Sequence, residues 1–594
     1  MKWIIFSLLV FSDSLKAQIP GENHKTAAAL KILDPWHAHQ TNEEQRELHF
    51  VLWTPNDREA PEGYPVRLTR MMEHIQKFYA DEMQRLGFGP RTINLPRNSA
   101  DQLKIHLIKG LHPESHYEMS SGSEIKNECI TPLREQGIDT NKETLVIFCN
   151  LAQWDAKKLT FTHKSPYYAG GNHQGGTAWQ LDSPELDPKN LALKKPMMSD
   201  GQYGRISLGK HNSIFIGGVC HELGHALGLP HCKQRPDEAA RGTALMGSGN
   251  RTYGDELRHE GKGSFLTLAN ALRLASHPQF SDSSKGMNLP VFADLAEVKI
   301  TAAEKTITVS GKLTADPPAY AVIAYFDPEG GGDYNATTAT AIPDTQGNFT
   351  LSSSALTSGK SGELRLIPLH VNGSTGGWMS QTKFRYPYSI KKDGTPDLTT
   401  FQTKQTLAPL IEALRIGDRR RAQALASRLP KGPIAEIAKN IITQGDQPKQ
   451  KPSEWNHATR KSSLTYFKPS EVKVGWGRPA YNYLPAPSLL LESGGKIFPA
   501  GIYAHAPASH RYKLAGKWNT LKGQVGLAAG KRGSVTFKIL GDGKTLWQSP
   551  TVKEGKLHQF NISLKDIQTL ELQVDPTKDG LRSDWGLWLE PTLE

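Results

Sequence analysis

Eleven consecutive residues, His221-Glu222-Leu223-Gly224-His225-Ala226-Leu227-Gly228-Leu229-Pro230-His231, hold the densest metal-binding chemistry in the chain. His221 and His225 are four apart, so on a helix they share one face, a single turn from each other. Two imidazoles at that spacing can grip one ion. Glu222 sits beside the first ligand, free to act as a base. Gly228 can adopt the left-handed conformation that ends a helix and lets the chain double back. Pro230 stiffens the return, and His231 arrives as a third nitrogen. Three histidines with an open fourth position describe one catalytic zinc ion, not a closed structural site.

The pattern resembles the signature of the metzincin clan of zinc metallopeptidases, HExxHxxGxxH. That resemblance implies a zinc endopeptidase in which Glu222 is the general base. It also implies a methionine turn, here Thr243-Ala244-Leu245-Met246-Gly247, with Met246 as a hydrophobic floor beneath the histidines and not a ligand. It further implies an edge strand above the metal that pairs with extended substrate. Within the glycine-rich residues 168–181, Gly175, Gly176, Thr177 and Ala178 are the candidates for that strand. Tyr253, seven residues beyond Met246, reads as packing. Calcium binding is not legible from the sequence.

The elements that must position these groups follow from periodicity. Leu48, Phe50 and Leu52 alternate as in a strand. Met71, Met72, Ile75, Phe78, Tyr79 and Met83 recur at helical spacing within residues 66–86. Residues 102–109 and 143–149 read as further strands. Asn212 and Ser213 offer a start for the metal-bearing helix, and residues 264–275 read as a closing helix. The expected catalytic domain is α/β and spans residues 46–282. Residues 1–17 read as a secretory signal and 18–45 as an irregular segment. Export would permit disulfides, and Cys129, Cys149, Cys220 and Cys232 allow three connectivities. The favoured pairing is Cys129–Cys149 with Cys220–Cys232.

Downstream, residues 290–388 form short alternating runs between turn residues, as in an immunoglobulin-like β-sandwich acting as a spacer. Residues 395–453 read as a helical linker ending in a flexible joint at 444–453. From 455 to 594 the motifs Gly501-Ile502-Tyr503-Ala504-His505-Ala506-Pro507, Gly541-Asp542-Gly543-Lys544 and Asp584-Trp585-Gly586-Leu587-Trp588 resemble the NPCBM family of carbohydrate-binding modules. That resemblance implies a jelly-roll sandwich and a carbohydrate ligand, with Trp585, Trp588 and Asp542 as candidate contacts. The net charge of +12 is scattered, and no nucleic-acid motif or membrane-length apolar run is present. The sequence therefore reads as an exported, multidomain zinc endopeptidase acting on protein or glycoprotein. A catalytically inactive glycan-binding adhesion protein and a metal-dependent hydrolase of a non-peptide bond remain as alternatives.

Overall fold

The computed structural model describes residues 21–38, 46–376, 383–444, 448–455 and 461–594. The expected signal, residues 1–17, lies outside the described residues. The chain forms two compact units, Met1–Ser358 with Glu363–Tyr386, and Gly359–Gly362 with Pro387–Glu594.

The first unit is built on a five-stranded sheet. Its strands are β1 (Leu48–Thr54), β2 (Ile105–Lys109), β3 (Thr144–Cys149), β4 (Tyr168–Gly171) and β5 (Gly176–Leu181), in the spatial order β2-β1-β3-β5-β4. β2, β1, β3 and β5 run parallel, and β4 closes the edge antiparallel. Parallel strands need cover on both faces, and β1 shows how it is supplied. Leu48, Phe50 and Leu52 pack with Met71, Met72, Ile75, Tyr79 and Met83 of helix α2 (Tyr64–Arg85). Val51 and Trp53 point to the other face, against Ile125, Cys129 and Leu133 of helix α3 (Gly122–Glu135).

Residues 18–45 were expected to be irregular, yet Glu22–His37 form helix α1. Tertiary contacts hold it there. Glu22 pairs with buried Arg241 at 2.8 Å, and Ala29 and Leu33 enter the main core.

The helix that carries His221 and His225, α4 (Leu208–Ala226), starts earlier than Asn212 and Ser213 suggest. Its cap is Ser207, whose hydroxyl accepts from the Lys210 amide at 3.0 Å. Asn212 lies inside the helix, where it donates to Leu208 O and accepts from Asp187 N. Nearly every residue of α4 is buried, so no polar face marks where it begins. Helix α5 (Leu268–Ala275) closes this part, capped by Thr267.

Seven strands follow: β6 (Phe292–Ala303), β7 (Thr306–Asp316), β8 (Ala319–Pro328), β9 (Thr337–Ala341), β10 (Asn348–Ser353), β11 (Ser361–His370) and β12 (Arg385–Ile390). They form one sheet in the order β6-β7-β10, and another containing β9-β8-β11-β12. This region is not a detached spacer. Tyr320, Ile323, Tyr325, Ile367 and Leu369 share one hydrophobic core with Leu268, Leu272 and the sheet above. Tyr320 Oη donates to Leu272 O and meets Ser276 Oγ. Both parts fall within the first compact unit and share this core.

In the second unit, helices α6 (Thr399–Arg415), α7 (Arg419–Ser427) and α8 (Pro433–Ile442) pack around Leu407, Leu410, Ile437 and Ile441. Leu490 of the terminal module completes that cluster. Thr400 donates to Gly495 O at 2.6 Å and Asn440 to Pro499 O at 2.8 Å. The helices are therefore docked, not a free linker. Of the expected joint, residues 445–447 lie outside the described residues. The terminal module is two layered sheets around Trp518, Phe537, Phe560 and Trp588.

Candidate metal centre

His221 and His225 leave α4 one turn apart, and the helix then ends in a Schellman arrangement. Gly228 takes φ +84°, its amide bonds His225 O at 2.9 Å, and the Leu229 amide bonds Gly224 O at 2.9 Å. The reversal turns Leu229 O back onto His225 Nδ1, at 2.7 Å. Leu245 O, beside Met246, holds His221 Nδ1 at 2.7 Å. Asp333 Oδ1 holds His231 Nδ1 at 2.8 Å. A carbonyl or carboxylate can only accept, so each histidine donates through Nδ1 and turns Nε2 inward.

Those three Nε2 atoms converge. His225 Nε2 is 3.1 Å from His221 Nε2 and 3.0 Å from His231 Nε2. With all three Nδ1 atoms donating outward, the Nε2 atoms are the ones that would face a shared cation. Burial holds His221 down to about 3 and His225 to about 4, so both are neutral ligands at pH 7. The donor set, the tautomers and the convergence fit a zinc ion with three nitrogen ligands. Among the described residues a second cluster of ligand-type side chains, His112, His116 and Glu124, lies at the surface.

Glu222 is buried, and desolvation pushes its carboxyl up to about 8. Met246 is fully buried against α4, where a Cβ on Gly224 would lie 2.7 Å from its sulfur. Tyr253 packs in the core against His74 and Phe78.

Two residues at this centre come from outside the expected catalytic domain. The turn Gly332–Asn335 between β8 and β9 brings Asp333 to His231 and lays Tyr334 on its ring, with centroids 3.5 Å apart at 27°. Tyr334 is 48% exposed and close enough to Glu222 for that carboxylate, after burial, to raise its phenol. Sequence reasoning missed both. The only local signal was the triple glycine Gly330-Gly331-Gly332, which marks a sharp turn and says nothing of what it faces.

The expected edge strand is displaced by one strand. Gly176, Thr177 and Ala178 belong to β5, paired on both sides by β3 and β4, while Gly175 lies in the turn before it. The open edge is β4. The glycines serve packing: a Cβ on Gly171 would lie 2.0 Å, and on Gly176 2.2 Å, from Ala226 O at the end of α4. Gly171 and Gly176 are what let α4 lie this close to the sheet.

The expected disulfides are absent. Cys129, Cys149, Cys220 and Cys232 are all buried free thiols. Cys129 and Cys149 share one core layer. Cys232 Sγ points to Thr267 and Asn270, at 3.6 Å and 3.4 Å. Burial pushes the Cys129 and Cys232 thiols up to about 12, leaving them inert.

The expected glycan contacts are mostly structural. Trp588 is fully buried between Phe537 and Phe560. Asp542 accepts from the Gln568 and Thr569 amides and so fixes a turn. Trp585 is 9% exposed, with the Lys531 ammonium 3.8 Å over its ring. Beside it, at 5.4 Å, lies Trp476, which is 56% exposed and was not singled out.

The chain is 24% identical to wild-type OgpA of Akkermansia muciniphila, covering 60% of this chain and 97% of that one, with a TM-score of 0.49. It is likewise 24% identical to catalytically inactive OgpA solved with an O-glycopeptide substrate, covering 57% of this chain and 92% of that one, with a TM-score of 0.46. A Renibacterium salmoninarum protein named as an endo-alpha-N-acetylgalactosaminidase is 29% identical over 101 residues, which is 16% of this chain. The chain spans 7% of the length of that relative. The family described as NPCBM/NEW2 domain matches residues 460–594, so the terminal module is an NPCBM/NEW2 domain.

Proposed function

We propose that this protein is a zinc-dependent endopeptidase of metzincin type acting on glycoproteins. One observation carries the reading: His221 and His231 bring Nε2 to within 3.1 Å and 3.0 Å of His225 Nε2, each ring held through Nδ1, with the buried Glu222 next in the chain to His221. Zinc in that position would supply Lewis-acid chemistry for the hydrolysis. His221, His225 and His231 would hold the ion, and Leu245 O, Leu229 O and Asp333 hold the histidines. Glu222, in its ionised form, would take a proton from the attacking water and deliver it to the leaving amine. Met246 supports the helix from below at Gly224.

The open edge of β4 supports binding of extended substrate by strand addition. The glycan-directed part of the reading rests on the NPCBM/NEW2 match. In that module Trp476, exposed beside Trp585, offers an aromatic face of the kind that stacks on sugar rings. An exported location remains part of the proposal.

Cleavage of a glycoprotein and of the same protein after deglycosylation, each with and without chelator, tests the reading. Chelator-sensitive cleavage faster on the glycosylated form is expected. A metal-loaded protein that binds glycan but cleaves neither form would return the adhesion reading. Hydrolysis of a non-peptide bond alone would return the other alternative.

A further inference from the structure

A cavity of about 580 Å3 opens directly beside the metal centre, with His225 and the turn Leu227–Pro230 in its wall. The end of β4 forms another side, and strands β8, β11 and β12 close the far side. Its size falls in the range of about 300–1,000 Å3 that encloses small ligands. The wall carries three guanidiniums, Arg273, Arg365 and Arg385, and among the described residues no Asp or Glu lines it.

Two of these guanidiniums form ion pairs. Arg365 pairs with Asp327 at 3.0 Å and Arg385 with Glu363 at 3.1 Å. Arg273 meets the Gly228 carbonyl at 2.8 Å and makes no ion pair among the described residues. Arg365 Nε is buried without a hydrogen-bond partner. His173 and His277 also line the cavity, but burial lowers both, so at neutral pH the positive charge belongs to the arginines. A guanidinium presents a planar fork of donors that matches a carboxylate.

We propose that this cavity is a substrate subsite for a carboxylate, carried either by an acidic side chain or by a sugar acid on the glycan. The proposal rests on reading the neighbouring centre as a peptidase, because β4 would then deliver a bound strand to the cavity mouth. It assigns the seven-stranded region a part in substrate choice, since Arg365 and Arg385 lie on β11 and β12.

The test uses the metal-loaded full chain carrying Glu222→Ala and three matched glycopeptides. One has a neutral glycan and neutral side chains, the second an Asp scanned along the peptide, and the third a sialic acid cap on the glycan. Calorimetry should show at least one anionic form binding about tenfold or more tighter than the neutral one, as expected for a charge-assisted contact. Which form does so identifies the source of the carboxylate. The preference should shrink severalfold in Arg365→Gln and in Arg385→Gln, and return in part in Arg365→Lys. Melting curves and metal content verify that each variant is folded. Equal affinity for all three peptides, absence of binding, or a preference that survives both glutamine variants overturns the proposal. Failure of the underlying reading shows separately, as absence of cleavage by the unsubstituted protein.

Discussion

Replacing Asp333 by Ala probes the contact that ties the seven-stranded region to the metal centre. The carboxylate accepts from His231 Nδ1 at 2.8 Å, fixing both the tautomer and the ring angle. Loss of such an outer partner typically weakens metal binding by about 10–100-fold, or about 1.4–2.7 kcal/mol. Two features place the effect near the lower end. The His231 side chain is 17% exposed and that of Asp333 is 36% exposed, so water can replace part of the lost bond. Tyr334 remains stacked on the ring and limits its rotation. We therefore expect zinc affinity to fall about tenfold in Asp333→Ala and further in the double variant with Tyr334→Ala. Competition against a chelator of known affinity measures this without any substrate. Affinity within about twofold of the parent, in a variant with unchanged melting, would refute the argument that the turn supports the third ligand.

Four further outcomes follow from the same geometry. Glu222→Gln should retain the metal and lose turnover by several orders of magnitude, and retained cleavage would remove Glu222 from its role. Gly176→Ala should cost about 1–3 kcal/mol by overpacking, because its Cβ would meet the fixed Ala226 carbonyl at 2.2 Å; an unchanged melting temperature and metal content would count against it. All four cysteines should be alkylated only after unfolding, and without prior reduction, as mass spectrometry of the intact chain would show. Burial disfavours the charge on His211, yet its bonds to Asp200 and Glu185, at 2.9 Å and 3.0 Å, outweigh that and raise its pKa above 6.5. Its stabilisation is then fully present below about pH 6.5 and is lost as pH rises through the raised folded value; urea unfolding that is no easier at about pH 9 than at about pH 6 would contradict it.

Local chemistry was readable without coordinates because its causes are local. The four-residue spacing of His221 and His225 follows from helix geometry, and the positive φ of Gly228 is what returns His231 to them. The face of α2 is written in Met71, Met72, Ile75, Tyr79 and Met83, which all pack beneath β1. The NPCBM/NEW2 module was recognisable from its turns, which are likewise short-range features.

What depended on tertiary structure has no local cause. Asp333 lies 102 residues from His231, and no periodicity reaches that far. A glycine-rich strand looks alike at an edge or one place inside it, so only the pairing of β5 on both sides showed that Gly176–Ala178 are interior. Cysteine spacing cannot say where side chains point: Cys129 and Cys149 share one core layer as free thiols, while Cys232 turns to Thr267 and Asn270. Tryptophan is large and apolar whether it stacks on a sugar or fills a core, and Trp588 became core only once Phe537 and Phe560 closed around it. Helical spacing and a glycine reversal set the candidate ligands, whereas the long-range docking of β8 and β9 supplies the carboxylate that orients the third histidine.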